Sequence, residues 1–428
     1  TMSDPAVDPQ HPWLGLASFT EETRGFFYGR EEEVAELARR VQRKLLTVLF
    51  GQSGLGKTSI LRAGIVPRLR PEGYCPVYVR IDYGRDTPPP SEQIKQAIYR
   101  ETLASGSWTQ SGVAVEGESL WEFLHHRDDV LRDTAGRTLT PLLIFDQFEE
   151  IFTLAQGDDF GRQRAAQFIA DLADLVENRP PKALEARLDE DDAAVERFDF
   201  ARSDYRILIA LREDYLAHAE GLKGAMPSIT QNRMRVARMT GAQALDAVLK
   251  PGGSLVSRDV AEAIVRFVAG GSELANAEVE PSLLSLVCRE LNNLRIAKGR
   301  AEISADLLAG SHDTILAEVA ASPFTRLVAH RGSLAALEGY VHTKDVATAL
   351  ARRRELADLK PLGRPLITLS SRLTVDAVLS QLRNRRARLA LIADPLGEIE
   401  GLVSIEDVMR NTRQPAAVAR LCLRQSLS

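Results

Sequence analysis

The chain has 428 residues, more than one ordinary domain uses, and its 44% hydrophobic and 26% charged residues are the balance of a globular protein with real cores. A net charge of −5 provides no global positive field, which argues against recruitment by nucleic acid or anionic lipid. Three dispersed cysteines, Cys75, Cys288 and Cys422, form no CxxC or CxxH pattern, so reduced thiols in a cytoplasmic protein are expected rather than a disulfide framework or a zinc site.

Residues 1–12 are polar and contain proline, and read as a flexible arm. From Glu31 to about Arg43, Val34, Leu37, Ala38 and Val41 share one face of a helix. The apolar run Leu45 to Phe50 ends at glycine, as a buried parallel strand would, and a helical pattern follows from Thr58 to about Leu69. The alternation repeats: strands at Val77 to Ile81, Leu142 to Phe145 and Arg206 to Leu211, with helices from Gln93 to about Leu103 and Gly161 to about Val176. Strands alternating with helices predict a parallel sheet covered on both faces, an α/β domain over residues 13–240. Glu177 to Asp204, with Asp189 to Asp192 at its centre, reads as a solvated loop or insertion.

A mostly helical segment, 241–318, comes next, and Pro281 to Leu294 has a strong apolar face. Around Ser322 the texture changes to short strands and helices, a smaller α+β domain over 319–412 with a tail at 413–428. Its strands are expected at Arg326 to Ala329, Leu337 to Val341, Leu366 to Leu369, Leu389 to Ala393 and Gly401 to Ser404, and its helices from Lys344 to about Arg353 and Thr374 to about Arg385. No stretch approaches the length of a membrane span. His125 and His126 are adjacent, so they do not share a helix face and make a poor metal clamp.

The chemistry concentrates at Gly51-Gln52-Ser53-Gly54-Leu55-Gly56-Lys57-Thr58, with Ser59 next, which fits G-x-x-x-x-G-K-[ST] between a strand and a helix. Glycines let backbone amides approach phosphate oxygens, and the following helix offers its N-terminal amides. Lys57 is expected on the β- and γ-phosphates and Thr58 on a magnesium ion. Asp146 follows four apolar residues, the place of a second carboxylate for that metal. Either Glu149 or Glu150 could orient the attacking water; both also suit the first turn of a helix. Arg212 reads equally as a γ-phosphate sensor or as a surface ion pair with Glu213 or Asp214.

The segments HPWLGLASFTEETRGFFYGREEEVAEL, LLTVLFGQSGLGKTSILRAGIVPRLR and LLIFDQFEEIFTL resemble, in order, those of the novel STAND NTPases. So do LIALREDYLAH, Gln231 to Gly253 and LLSLVCRELN, so that the resemblance spans residues 11 to 315. It implies a five-stranded parallel sheet with a helical lid, and a signalling switch that holds ADP when closed and oligomerises with ATP. It implies that Tyr28-Gly29-Arg30-Glu31 lies near the adenine. It also implies that Lys57, Thr58, Asp146, Glu149, Glu150 and Arg212 are the phosphate, metal and sensor residues. Such proteins usually continue into a winged helix and a repeat array, a pattern this sequence leaves after about His312.

Residues 322 to 409 resemble instead a CBS-domain pair of the CorC/hemolysin type, through SPFTRLVAHRGSLAALEGYVHTKDVATAL and PLITLSSRLTVDAVLSQLRNRRARLALIADPLGEIEGLVSIEDVM. In that family G-h-x-[ST]-x-x-D contacts ribose, and Gly401 to Asp407 fits it, which implies Ser404 and Asp407 as nucleotide ligands. The first copy has His342 at the hydroxyl position. Arg383, Arg385, Arg386 and Arg388 form a basic cluster, either a solvated helix end or a phosphate site. The expected function is an ATP/ADP-dependent switch with slow hydrolysis, an unidentified protein effector and a homo-oligomeric ATP state. The alternative is a non-catalytic adenine-nucleotide sensor using both domains.

Overall fold

The computed structural model describes residues 7–82, 86–109, 117–154, 159–189, 195–269, 273–308, 326–330, 337–342, 366–384, 389–393 and 399–404. Two compact units divide the chain at Leu308 and Ala309.

The first unit is built on five strands, β1 (Leu46–Gly51), β2 (Tyr74–Val79), β3 (Thr140–Phe145), β4 (Arg206–Arg212) and β5 (Arg233–Arg235). Their order is β2-β3-β4-β1-β5, and every pairing is parallel. Alternate residues feed two cores. Val48, Leu143, Ile207 and Ile209 point into one, and Leu49, Leu142, Ile144 and Leu208 into the other. Helices α1 (Glu31–Arg43) and α2 cover the second face. Helix α2 opens as Lys57–Ser59, continues as a π turn over Ile60–Ile65 and closes as Val66–Leu69. In the π turn Val66 N–H donates five residues back to Leu61 O, next to Pro67, which has no N–H to give the α-helical ladder. The first face is covered by α3 (Pro90–Ser105), α4 (Leu120–His125), α5 (Glu150–Leu154) and α6 (Asp159–Val176).

Two differences from the expected elements have local causes. Strand β2 begins three residues before Val77 and includes Pro76, tolerated because β2 is the sheet's edge and Pro76 still registers with Leu142. The segment 177–204 is not wholly a solvated loop. It carries helix α7 (Lys182–Leu188), and its Leu184 and Phe198 bury against Trp121. His125 lies flat on the Trp121 ring and bonds Trp121 O and Asn178 Oδ1, so it is a core histidine.

Helices α8 (Gly241–Gly252), α9 (Arg258–Val268) and α10 (Pro281–Ala297) form the lid, packed through Ala244, Val248, Ile264, Val265, Val287 and Leu291. Trp13 is part of this lid core, although it stands some 230 residues before α8 in the chain. The expected arm is held in place over its described part: Asn292 Nδ2 donates to Gln10 O at 2.6 Å and Arg295 Nη2 to Gln10 Oε1 at 3.2 Å. The polypeptide then runs along α10, with Arg289 Nη1 donating to Leu14 O at 3.2 Å and Gly15 N–H to Ser285 Oγ at 3.0 Å. It ends on α2, where Phe19 N–H donates to Ser59 Oγ at 3.1 Å.

The second unit is described in pieces. β6 (Arg326–His330) and β7 (Leu337–His342) form an antiparallel pair. β8 (Ile367–Ser370), α11 (Val375–Asn384), β9 (Leu389–Ala393) and β10 (Ile399–Ser404) make a three-stranded sheet with one parallel and one antiparallel pairing. This is the smaller, CBS-like α+β domain. The helix expected from Lys344 lies outside the described residues.

Candidate functional site

The site forms where β1, β3 and β4 end together, because parallel strands present all their carboxyl ends to one edge. Gly51 registers with Arg212 and Phe145 with Ile209, so the phosphate loop, Asp146 and Arg212 emerge on that edge. β4 stands between β1 and β3 in the sheet.

Gly54 and Gly56 have φ of +89° and +81°, a region that side chains disfavour. Gly56 is the N-cap of α2. Within the motif Leu55 is buried, Ser59 is buried, and Gln52 and Ser53 are exposed. Lys57 Nζ folds back over the loop and donates to Gly51 O at 2.7 Å and Gln52 O at 2.9 Å. Burial pulls the Lys57 pKa down, opposed by the carboxylates of Glu149 and Asp146.

Thr58 Oγ1 donates to Asp146 Oδ2 at 2.7 Å, which brings together the two expected metal residues. Tyr78, not anticipated from the sequence, also donates its hydroxyl to Asp146 Oδ2. Asp146 Oδ1 accepts from Gln147 N–H at 2.9 Å. Gln147 has φ +56°, an uncommon conformation for a non-glycine residue, and the strained turn sits directly after the strand. That turn sends Phe148 N–H to Ala210 O at 2.9 Å and brings Glu149 back to β4. Magnesium favours hard oxygen ligands and few protein carboxylates, which a threonine hydroxyl beside one aspartate satisfies. Among the described residues no cluster of three or more His, Cys, Asp or Glu could hold a metal by itself.

The two glutamates separate. Glu149 is turned inward: its Oε2 accepts from Arg212 N–H at 3.2 Å, and burial raises its pKa against the pull of Lys57 and Arg212. Glu150 begins α5 and faces Arg80 at 3.6 Å, with both side chains exposed. The Arg212 guanidinium pairs with Asp214 at 2.6 Å and lies over the Tyr215 ring, while Glu213 pairs with Arg235. Arg212 thus adopts the ion-pair alternative with Asp214.

Arg30 is 1% exposed. It donates to Leu55 O at 3.3 Å, Ala237 O at 2.8 Å and Glu33, tying the phosphate loop to the approach to the lid. Gly29 explains why a glycine precedes it. Its φ is +81°, and a Cβ there would lie 2.3 Å from the Gln243 carbonyl oxygen on α8. Gly29→Ala is expected to destabilise the protein by about 2 kcal/mol or more, from backbone strain plus a clash that cannot rotate away. Urea unfolding of the two proteins checks it; equal midpoints would refute the close approach.

The lid reaches the loop directly. Ser282 N–H, in the first turn of α10, donates to Gly54 O at 3.3 Å, and a Cβ on Gly54 would lie 2.3 Å from Glu280 Oε1. In the second unit, Ser404 is the last residue of β10, whereas Asp407 lies outside the described residues. Of the basic cluster only Arg383 is described, on α11.

The family model described as Novel STAND NTPase 1 matches residues 12–400. A curated relative, the magnesium and cobalt efflux protein CorC of Pasteurella multocida, is 35% identical over 97 residues, which are 23% of this chain and 31% of that protein. The chain therefore spans about a third of the length of that relative. Among solved structures, the CBS domain of a putative transporter from Clostridium difficile 630 is 28% identical over 24% of this chain and 78% of that one, with a TM-score of 0.22. The Aeropyrum pernix ORC2 protein, solved as ADPNP–ADP complexes, is 13% identical over 69% of this chain and 68% of its own, with a TM-score of 0.42. Among the described residues no helix is long and apolar enough to cross a membrane.

Proposed function

The chain belongs to the novel STAND NTPase 1 family, and from that premise we propose that it binds ATP or ADP with magnesium at Gly51 to Ser59 and acts as a nucleotide-controlled signalling switch with slow hydrolysis. The observation that carries this reading is the meeting of Lys57, Thr58, Asp146 and Glu149 at one edge of the sheet, under a lid bonded to Gly54.

In that reading the loop amides and Lys57 hold the β- and γ-phosphates. Thr58 and Asp146 would hold magnesium, which would supply positive charge to offset that of the phosphate oxygens. Glu149 accepts a proton from a water that attacks the γ-phosphorus as the bond to the β–γ bridging oxygen breaks. ADP and inorganic phosphate are the products. Arg212 would have to leave Asp214 to reach a γ-phosphate, so sensing by Arg212 costs an existing ion pair. The lid bond at Gly54 gives the nucleotide a route to the lid, and an ATP-state homo-oligomer with a protein effector is the output we assign to it.

A second reading, a non-catalytic adenine-nucleotide sensor, is favoured by the Gly401 to Asp407 pattern, whose Ser404 closes β10. Phosphate release and solution mass of the full chain separate the two. The switch reading expects saturable ATP binding, slow phosphate release and a larger mass with ATP than with ADP. Binding without any release above a Glu149→Gln control favours the sensor, and no nucleotide binding up to millimolar concentration overturns both.

A further inference from the structure

Tyr78 lies on the edge strand β2, outside every motif that marks the nucleotide site. Its hydroxyl nevertheless donates to Asp146 Oδ2, the same oxygen that receives Thr58 Oγ1. Asp146 Oδ1 is taken by Gln147 N–H. A carboxylate offers about four lone-pair directions, so three donors, from α2, from β2 and from the turn that follows Asp146 itself, leave this one little freedom to rotate. The Tyr78 ring is itself fixed, half-buried on the α1–α2 face of the sheet with the Arg62 guanidinium carbon 5.2 Å from its centre. Arg62 belongs to the π turn of α2, so the tyrosine touches both the phosphate-loop helix and the carboxylate.

We propose that Tyr78 is a positioning residue for the magnesium site: it holds the Asp146 carboxylate in the orientation that keeps the Thr58 hydroxyl oxygen free to ligate the metal. This rests on the nucleotide-and-magnesium reading above. Thr58 can ligate a cation with an oxygen lone pair while its hydroxyl still donates to Asp146 Oδ2, so the bond in the structure need not break. Tyr78 then stands one step further out, fixing the acceptor of that hydrogen. Outer partners of this kind set metal affinity by about 10- to 100-fold, because they orient the ligands that touch the ion. A Phe in place of Tyr78 keeps the ring and its contact with Arg62 and removes only the donor.

The test is a magnesium titration of the full chain with a fluorescent ATP analogue, read as binding rather than turnover. Tyr78→Phe is expected to raise the magnesium concentration at half-effect about tenfold, while analogue affinity in EDTA stays that of the wild type. A midpoint equal to or below the wild-type value overturns the proposal. If the wild type binds the analogue and magnesium changes nothing, both the metal reading and the Tyr78 inference fall. A wild type that responds beside a variant that responds identically defeats Tyr78 alone. The second measurement is urea unfolding of the nucleotide-free protein with Tyr78→Phe, Asp146→Ala, which removes the acceptor, and the double variant. The proposal expects the double variant to lose less than the sum of the two; strictly additive losses overturn it.

Discussion

Lys57→Ala is expected to weaken ATP binding about 10- to 100-fold, the loss of a charge-assisted hydrogen bond of about 1.5–3 kcal/mol. In the structure Lys57 bonds Gly51 O and Gln52 O, so its ammonium is already drawn across the mouth of the loop. Phosphate oxygens would replace carbonyl oxygens as acceptors, and an anion is the stronger one. The fold should survive, because Lys57 bonds the carbonyls of Gly51, at the end of β1, and of exposed Gln52, and it is not part of the core beneath the sheet. Equilibrium titration with a labelled nucleotide, beside a thermal melt, checks both halves. A loss of less than threefold with an intact fold would remove Lys57 from the phosphate site.

Glu149→Gln is expected to lower the rate of phosphate release by about 10²- to 10⁴-fold, the usual worth of a positioned general base, with nucleotide binding retained. Glu150→Gln is expected to stay within about twofold of the wild-type rate, since an exposed ion pair with Arg80 contributes little. The reverse ranking would reverse the assignment. Glu149 also carries a stability signature. Burial raises its folded pKa above the unfolded value of 4.5. The native state therefore binds more protons than the unfolded chain in the window that starts near 4.5 and runs up to the raised value. Stability from this group falls as pH rises through that window. Glu149→Gln should consequently stabilise the nucleotide-free protein at neutral pH, and the gain should shrink as the medium is made acidic. A gain that does not change with pH would show that the glutamate's charge is not its source.

The phosphate loop was legible in the sequence because its chemistry dictates residue type at fixed spacing. Gly51 to Thr58 and the apolar run before Asp146 could be placed with no contact known, and Thr58 does meet Asp146. The two glutamates could not be separated, since both follow the strand. Only the left-handed turn at Gln147, at a residue with no glycine to announce it, decides that Glu149 turns inward and Glu150 outward. Tyr78 was silent for a similar reason: alternation in a strand says which face a residue takes, not what its hydroxyl finds. Arg30 reads from the resemblance as a residue near adenine, yet its side chain is spent on the backbone carbonyls of Leu55 and Ala237. Gln10 sits in a polar, proline-containing stretch and Trp13 just after it, and their partners, Asn292 on α10 and the lid core beside Gly252, are too distant in sequence for any local pattern to suggest them.

That last connection bears on how the protein is made. Gln10 and Asn292 are separated by 282 residues, and Gly15 and Ser285 by 270. At about 5–20 residues per second on the ribosome, the first of each pair waits roughly a quarter of a minute to a minute for the second. All five strands of the sheet have been translated before α10 exists. Until then the Trp13 indole has only the α8 and α9 part of the lid core to enter, beside Gly252, and lacks the share that α10 contributes. Closing so long a loop is entropically slow and comes late in folding. A nascent chain released just before Pro281 would hold a complete phosphate loop without its lid clasp, so nucleotide present during synthesis could meet the site before its cover is fastened.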